Sequence, residues 1–272
     1  MRLVIFTSSS LRHRAFAKRV CQSKKMKVEK IFYESGNQLQ KLVDTRSDNL
    51  IQLNHLIARE QSEKDVFNLF LKYSNYTSNS QMHVERGWYS SKECLTELIK
   101  LNPDLILVYG TSIIKGDIIS TFNGKILNVH LGLSPFYRGS GTNFFPFVNN
   151  EPEYCGATYM YLDAGVDTGE IIHQIRPDIF PSDSFHQLSN RFLVKVFDIY
   201  VDLVEKFDQI KTSKPARQPL SNNVRKFYRK KDFSDESIEK LYFNFKNDIL
   251  ANYLYKKKDK DLNVPIVLNP FL

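Results

Sequence analysis

The sequence predicts an α/β protein with a mostly parallel central sheet. Short apolar runs of strand length alternate with segments of helical pattern, which is the arrangement of β-α-β units. The run DLILVY, from Asp104 to Tyr109, is apolar throughout, as expected of a strand that is covered on both faces. Turn signals at Asn102-Pro103 and at Gly124 separate it from its neighbours. We therefore expect parallel strands joined by right-handed crossovers.

Most of the predicted strands of this sheet lie in the first half of the chain. Residues 36–75 are polar with scattered apolar positions and predict one or two helices, and Ser90-Ser91 precede a helix through Leu95 and Leu98. The predicted strands are Arg2–Thr7, Val28–Tyr33, Asp104–Tyr109 and Lys125–Val129, and further helices are predicted at Leu11–Gln22 and Ile113–Phe122.

The second half predicts two paired strands and more helix. Ala157–Leu162 and Glu170–Ile175 are joined by the turn DAGVDTG; a short helix at Thr142–Val148 precedes them and a long helix at Asp183–Ile210 follows. Residues 214–223 contain two prolines and predict a linker, after which apolar residues from Ile238 to Tyr253 recur at helical spacing. We predict a main domain at residues 1–210 and a small helical extension at 211–272, which binds substrate or contributes to dimerisation.

Composition limits the class of protein. Of 272 residues, 42% are hydrophobic and 25% charged, which are ordinary values for a globular protein, and no apolar run has the length of a membrane span. Three widely spaced cysteines predict reduced thiols in a cytoplasmic protein, and no Cys/His cluster has the spacing of a metal site. The net charge is +8, and the segment from Lys211 to Asp261 is basic, which suits a phosphate-bearing small molecule or a nucleic acid.

Two loops carry a possible catalytic group. Asn128 and His130 end a predicted strand and, by alternation, lie on one face of it, while Asp167 stands in a glycine-rich turn. An amide and a protonated imidazole can stabilise negative charge on a carbonyl oxygen, and a carboxylate can keep the imidazole charged and take a proton through water. These residue types suit acyl transfer to an amine, although each pattern alone is also ordinary strand and turn chemistry. We expect Cys155, His173 and His186 to be structural.

The longest stretch of specific sequence is ILNVHLGLSPFYRGSGTNFF followed by GATYMYLDAGVDTGEIIHQ. It strongly resembles the formyltransferases that use 10-formyltetrahydrofolate, which carry an Asn-x-His pair, a Pro-x-Tyr-Arg-Gly loop and an Asp-x-Gly turn in this order. The resemblance covers roughly residues 88–178 and implies a Rossmann-like formyltransferase fold. It implies that Asn128, His130 and Asp167 are catalytic and that the Thr158 hydroxyl orients the histidine.

The same resemblance implies binding sites for both substrates. The folate pocket is expected at the backbone of residues 109–114 and 162–166, including Tyr109, Gly110, Thr111, Ser112, Ile113, Leu162, Asp163, Gly165 and Val166. Acceptor binding is expected at Tyr137, Arg138 and Gly139. It is also expected where Ser9, Ser10, Arg12 and Arg14 surround the start of the first helix, since helix N-termini bind anions.

Within this family, the core sequence more closely resembles formyltransferases that act on nucleotide-linked amino sugars, such as GDP-perosamine or TDP-4-amino-4,6-dideoxyglucose. These enzymes serve lipopolysaccharide O-antigen synthesis. YRKKDF, at Tyr228–Phe233, has near counterparts there. This resemblance implies a homodimer with no membrane partner. Met160 stands where some purine-pathway members have a histidine, and the short extension after the linker is unlike the β-barrel of methionyl-tRNA formyltransferases.

Other functions stay open from the sequence. One is a formyltransferase for another small amine, such as hydroxyornithine or glycinamide ribonucleotide, and a less favoured one acts on methionyl-tRNA. A different class is a folate- or RNA-binding module without catalysis, against which the intact set of Asn128, His130 and Asp167 speaks. We regard nucleic acid as an unfavoured partner.

Overall fold

The structure, a computed structural model, describes residues 1–36, 50–74, 80–218 and 226–272. Its main strands are β1 (Arg2–Ser8), β2 (Lys27–Glu34), β3 (Gln81–Val84), β4 (Leu105–Tyr109), β5 (Ile126–His130), β7 (Ala157–Tyr161) and β8 (Ile171–Ile175). They form one sheet in the order β3-β2-β1-β4-β5-β7-β8. Neighbours from β3 to β5 run parallel, whereas β7 is antiparallel to both β5 and β8. The predicted α/β fold with a mostly parallel sheet is confirmed.

Helices cover both faces of this sheet and form most of the C-terminal segment. They are α1 (Leu11–Cys21), α2 (Leu50–Tyr73), α3 (Lys92–Leu101), α4 (Asp117–Thr121), α5 (Phe145–Val148), α6 (Phe185–Glu205), α7 (Phe207–Ile210), α8 (Asp235–Lys246), α9 (Ile249–Tyr255) and α10 (Lys257–Asn263). Within the described ranges, none of them combines the length and apolar character that a membrane crossing requires.

Strand β4 shows why the central strands are apolar on both sides. Leu105, Leu107 and Tyr109 belong to a core that includes residues of α1 and α6, whereas Ile106 and Val108 belong to the core under α3 and α4. All five residues are buried. A continuous apolar run is therefore the sequence signature of a strand between two helical layers.

Three local predictions differ from the structure. Strand β3 was not predicted, because three of its four residues are exposed at the sheet edge and its sequence lacks an apolar run. The helix predicted at Ile113–Phe122 is shorter, Asp117–Thr121, since Gly116 adopts a φ of 77° that a helix cannot continue through. The apolar stripe from Ile238 to Tyr253 forms two helices, because Asp248 is left-handed with φ 58°.

Part of the polar segment at residues 36–75 is one long helix. Helix α2 packs against α1, α6 and α8, and the predictions for residues 37–49 lie outside the described part of the chain. The segment at 214–223 is described only to Gln218.

The C-terminal segment packs on the main sheet and its loops. Strand β9 (Lys226–Tyr228) pairs in parallel with β6 (Tyr137–Gly139). Ile238 and Leu241 of α8 share a core with Tyr137 and Phe147. The division at residue 210 stays a prediction, and the helical character of the extension is confirmed.

Candidate functional site

His130 ends strand β5 with its ring buried between two oxygens. Its Nδ1 lies 3.3 Å from Asp167 Oδ1, and its Nε2 lies 2.9 Å from the carbonyl oxygen of Tyr137. A carbonyl oxygen only accepts hydrogen bonds, so Nε2 carries the proton in this arrangement. A second proton on Nδ1 would turn the contact with Asp167 into an ion pair. His130 must exchange one of these partners before it can donate to a substrate oxygen.

The room for this ring is provided by Gly132. A Cβ at this position would lie 2.6 Å from His130 Nε2 and 2.7 Å from Thr142 Cβ. Both separations are too short for a methyl group, so a side chain at residue 132 would displace the imidazole. The role of Gly132 was not predicted from the sequence.

Asp167 reaches His130 because its loop folds back along β5. The loop starts at Leu162, whose N–H donates to Ile126 O over 2.9 Å, four residues before His130 on the strand. Asp167 itself adopts a left-handed φ of 53°, a conformation that Asp tolerates better than most residues. Its Oδ2 accepts from the N–H of Gly139 over 2.9 Å, which fixes the carboxylate while Oδ1 faces the imidazole.

Asn128 lies on the same face of β5 as His130 and is partly exposed. Within the described part of the chain its side chain makes no hydrogen bond, so its amide is free to meet a substrate. The structure therefore brings together the three residues for which we predicted catalysis. Asn128 and His130 come from one strand, and Asp167 comes from the returning loop.

Thr158 acts on the loop after His130 rather than on the ring. It pairs with His130 across β5 and β7. Its hydroxyl donates to Gly132 O over 2.6 Å and accepts from Ser134 N–H over 3.0 Å, and Gln174 Nε2 donates to it over 2.9 Å. These contacts of the Thr158 hydroxyl differ from the predicted orienting role toward the histidine ring.

The loop after β4, predicted to bind folate, is held by Glu34. This buried carboxylate accepts from Ser112 N–H and from Gly87 N–H over 2.7 Å each, and also from the Ser112 hydroxyl. Gly110 adopts φ 67°, and a Cβ there would lie 2.0 Å from the ring of His13. Sequence reasoning missed Glu34 because its partners are 53 and 78 residues away.

The second predicted folate loop is ordered by its own side chains. Asp163 Oδ1 accepts from Gly165 N–H over 3.1 Å and from the Thr168 hydroxyl over 2.6 Å, so Asp163 serves the turn. Leu162, Val166 and Ile113 keep apolar surface exposed in part. Ala164 and Lys115 line one cavity of about 580 Å³. Partly exposed apolar side chains and loop backbone suit a flat heteroaromatic ring.

Several predicted acceptor residues have partners within the protein. Tyr137 is buried, and its hydroxyl donates to Glu151, while Arg138 donates to Gln218, whose Nε2 donates to Asp167 O over 3.0 Å. These side chains join the loops around His130 and Asp167, and their polar groups are occupied by partners within the protein. Gly139 contributes its N–H to Asp167. Gln218, in the predicted linker, is a further residue that sequence reasoning missed.

The loop after β1 is partly open. Ser10 Oγ lies 2.5 Å from His13 Nδ1, Ser9 N–H donates to Glu34 O over 3.1 Å, and Arg14 is exposed. Arg12 lies 3.6 Å from Glu63. Burial, with the charge of Arg12 adding to it, lowers the pKa of His13 well below its usual value, so this ring is neutral.

The remaining groups singled out in the sequence are structural where described. Burial raises the pKa of the Cys155 thiol far above its usual value, so it is inert. Burial lowers the pKa of His173 to about 4, and burial, aided by the charge of Arg59, does the same for His186. Among the described residues no three His, Cys, Asp or Glu side chains group as metal ligands.

Known proteins of similar sequence include formyltransferases. A methionyl-tRNA formyltransferase of Finegoldia magna is 27% identical over 166 residues, which are 60% of this chain and 51% of the relative. A phosphoribosylglycinamide formyltransferase of Haemophilus influenzae is 30% identical over 142 residues, 52% of this chain and 62% of the relative. The chain thus spans about half to three fifths of the length of these two relatives.

Solved structures show the same fold. The phosphoribosylglycinamide formyltransferase of Anaplasma phagocytophilum superposes with a TM-score of 0.55 at 18% identity, covering 84% of this chain and 98% of that chain. A sugar N-formyltransferase from a Shewanella species gives 0.53 at 15% identity, covering 86% and 78%. The model of the family "Formyl transferase" matches residues 24–204, which include most of the sheet and the loops that carry His130 and Asp167. The chain belongs to the formyl transferase family.

Proposed function

We propose that this protein transfers a formyl group from 10-formyltetrahydrofolate to the amine of a nucleotide-linked amino sugar. The observation that carries the transfer is the convergence of Asn128, His130 and Asp167 at the end of β5. His130 and Asp167 are 3.3 Å apart, and the Asn128 amide has no partner among the described residues.

The chemistry follows from what each side chain can hold. 10-Formyltetrahydrofolate supplies the formyl group, whose bond to folate nitrogen breaks as the acceptor amine bonds to the formyl carbon. Asn128 and a doubly protonated His130, whose Nε2–H leaves Tyr137 O for the substrate, donate to the carbonyl oxygen, where negative charge develops. Each such donor contributes about 2.7–4 kcal/mol. Asp167 stabilises the positive charge of His130 and, through water, takes the proton that the amine loses. This proton passes on to the departing folate nitrogen, which leaves as a neutral amine.

Support for an amino-sugar acceptor comes from the resemblance of the core sequence and from charge. The Shewanella relative of the same fold is a sugar N-formyltransferase. The chain carries +8, which suits an acceptor with a diphosphate. GDP-perosamine and TDP-4-amino-4,6-dideoxyglucose are the acceptor types that we propose, with a role in O-antigen synthesis and a homodimer as the working form.

The test is mass spectrometry of an acceptor panel incubated with the protein and 10-formyltetrahydrofolate. The panel holds the two nucleotide sugars, glycinamide ribonucleotide and hydroxyornithine. A gain of one CO on either nucleotide sugar supports the proposal. A gain only on glycinamide ribonucleotide or hydroxyornithine would identify that amine as the acceptor and contradict the proposal.

Two variants separate catalysis from binding. His130→Ala should abolish product formation while folate still binds, because the proposed folate loops do not include its ring. Asn128→Ala should lower the rate by about two orders of magnitude, the usual effect of losing one oxyanion donor. Full activity of either variant would remove the assigned group from the mechanism.

A further inference from the structure

A compact group of charges lies between α1 and α2. Glu63 of α2 is buried, with a side-chain exposure of 6%. Its Oε1 lies 3.6 Å from Arg12 Nη1 and 3.6 Å from Arg59 Nε. Both separations exceed hydrogen-bond length, so the carboxylate compensates the arginines without being tightly bound by either. Two cations share this anion, and Glu60, whose charge also acts on Arg59, is paired with Lys64, so one positive charge remains.

Both guanidinium groups keep unused hydrogen-bond donors. The Nε atoms of Arg12 and Arg59 are shielded from solvent and have no hydrogen-bond partner within the described ranges. Shielded donors without partners are unfavourable, so a ligand that accepted from this arginine pair would relieve a cost already present. Burial, reinforced by the charge of Arg12, lowers the pKa of Arg59 to about 10, so Arg59 is still a cation at neutral pH.

The arginine pair lies beside the proposed active site. Arg12 directly precedes His13, whose ring packs on Gly110 of the loop after β4. Thr7 pairs with Tyr109 and Val108 pairs with Asn128, so β1, β4 and β5 end at similar levels. Because adjacent strands are about 4.8 Å apart, the end of β1 is roughly 10 Å from His130. An acceptor with its amine at His130 can therefore reach this region with an anionic group.

We propose that Arg12 and Arg59 form the site for the phosphate oxygens of the acceptor, with the second arginine supplied by helix α2. This inference rests on the proposed function and names the part of the protein that selects phosphorylated acceptors. Two guanidinium forks match the several oxygens of a diphosphate, and Glu63 holds the arginines in place while no anion is bound. Because Glu63 already lies between the two arginines, a ligand must carry enough negative charge to compete with this carboxylate.

The first test uses inorganic pyrophosphate as the probe, with binding measured by isothermal titration calorimetry on the full chain. Arg59→Met should weaken binding by about tenfold or more, because it removes charge-assisted hydrogen bonds. Glu63→Gln should tighten binding, because it removes the competing carboxylate. Lys72→Met is the matched control: Lys72 is exposed in the last turn of α2, with its ammonium over the ring of Tyr73, and the affinity should stay within about twofold.

The opposite signs expected for Arg59→Met and Glu63→Gln distinguish a binding role from damage to the fold. Equal pyrophosphate affinity of wild type and Arg59→Met, or weaker binding by Glu63→Gln in a folded protein, would overturn the proposal. Malonate, run in parallel, tests for a carboxylate site, and tighter binding of malonate than of pyrophosphate would also overturn it. Pyrophosphate binding does not require turnover. If the formyl-transfer assay fails, the binding data therefore still test the phosphate site.

Discussion

Replacing Asp167 with Asn tests whether a charged imidazole drives the reaction. The change keeps the side-chain volume and leaves an oxygen to accept from Gly139 N–H, a bond of 2.9 Å in the structure. With that oxygen fixed, the new amide nitrogen faces His130 Nδ1 at the place of the carboxylate oxygen, 3.3 Å away. An N–H group there requires a lone pair on Nδ1, while Tyr137 O keeps the proton on Nε2. The imidazole of the variant is therefore held neutral.

The expected loss of rate follows from the two roles of Asp167, which are to stabilise the charge of His130 and to take the proton of the amine. Proton transfer by a positioned group contributes about 10²–10⁴ in rate, so we expect kcat to fall by that range, equivalent to about 3–5 kcal/mol of transition-state stabilisation. The KM for folate should change little, because Asp167 follows residues 162–166, which are expected to contact folate, and its carboxylate faces His130. The assay is the initial rate of formylated product at saturating substrates, with the melting temperature measured beside it.

Asp163→Asn provides a comparison in the same loop. Asp163 accepts from Gly165 and Thr168 and makes no described contact with His130, so the change should act mainly on folate affinity. An Asp167→Asn enzyme that keeps kcat within about threefold of wild type, with a normal melting temperature, would refute a charged His130.

Three further outcomes are expected. Gly132→Ala should lower both activity and stability, the latter by about 1–3 kcal/mol, because its Cβ would lie 2.6 Å from His130 Nε2; unchanged activity would show that the ring can move freely. Glu34→Gln should raise the KM for folate and cost about 1–3 kcal/mol of unfolding free energy, since an amide cannot accept all three hydrogen bonds; an unchanged KM would separate this loop from folate. The free energy of unfolding should fall as pH drops from 6.5 toward 4, by up to about 1.4 kcal/mol per pH unit for His173. Burial lowers the pKa of His173 in the folded protein to about 4, so in this pH range the unfolded chain binds more protons than the folded one. Denaturant titrations at pH 7 and pH 5 measure this loss, and His173→Gln, in which an amide oxygen can accept from Asn269 N–H, should show a smaller one.

The candidate catalytic residues could be predicted from the sequence because their local patterns stand in a longer stretch that resembles the formyltransferases. Alternation along one strand places Asn128 and His130 on the same face, and the apolar run of β4 indicates a strand inside the sheet. Glycines beside Asp167 indicate a tight turn. Each of these signals lies within a few residues, where backbone geometry alone fixes which side chains share a surface.

The edge strand β3 and the ends of helices were less predictable. Residues 81–84 are mostly exposed, so burial leaves no pattern in their sequence. Asp248 interrupts an otherwise continuous helical stripe through a left-handed turn that an Asp does not signal by itself. Local propensity is too weak in both places to overcome the contribution of tertiary contacts.

The sequence by itself determined the fold class, the strand that carries Asn128 and His130, and the chemistry that these residue types allow. Only the tertiary structure decided which groups hold that chemistry in place. Glu34 fixes the loop at Ser112 from 78 residues away, and Gln218 reaches Asp167 across 51 residues. Such pairings depend on how distant strands and helices pack, and a carboxylate or amide carries no mark of its distant partner. The chain pattern therefore specifies the elements, whereas burial and the need to satisfy polar groups select the contacts between them.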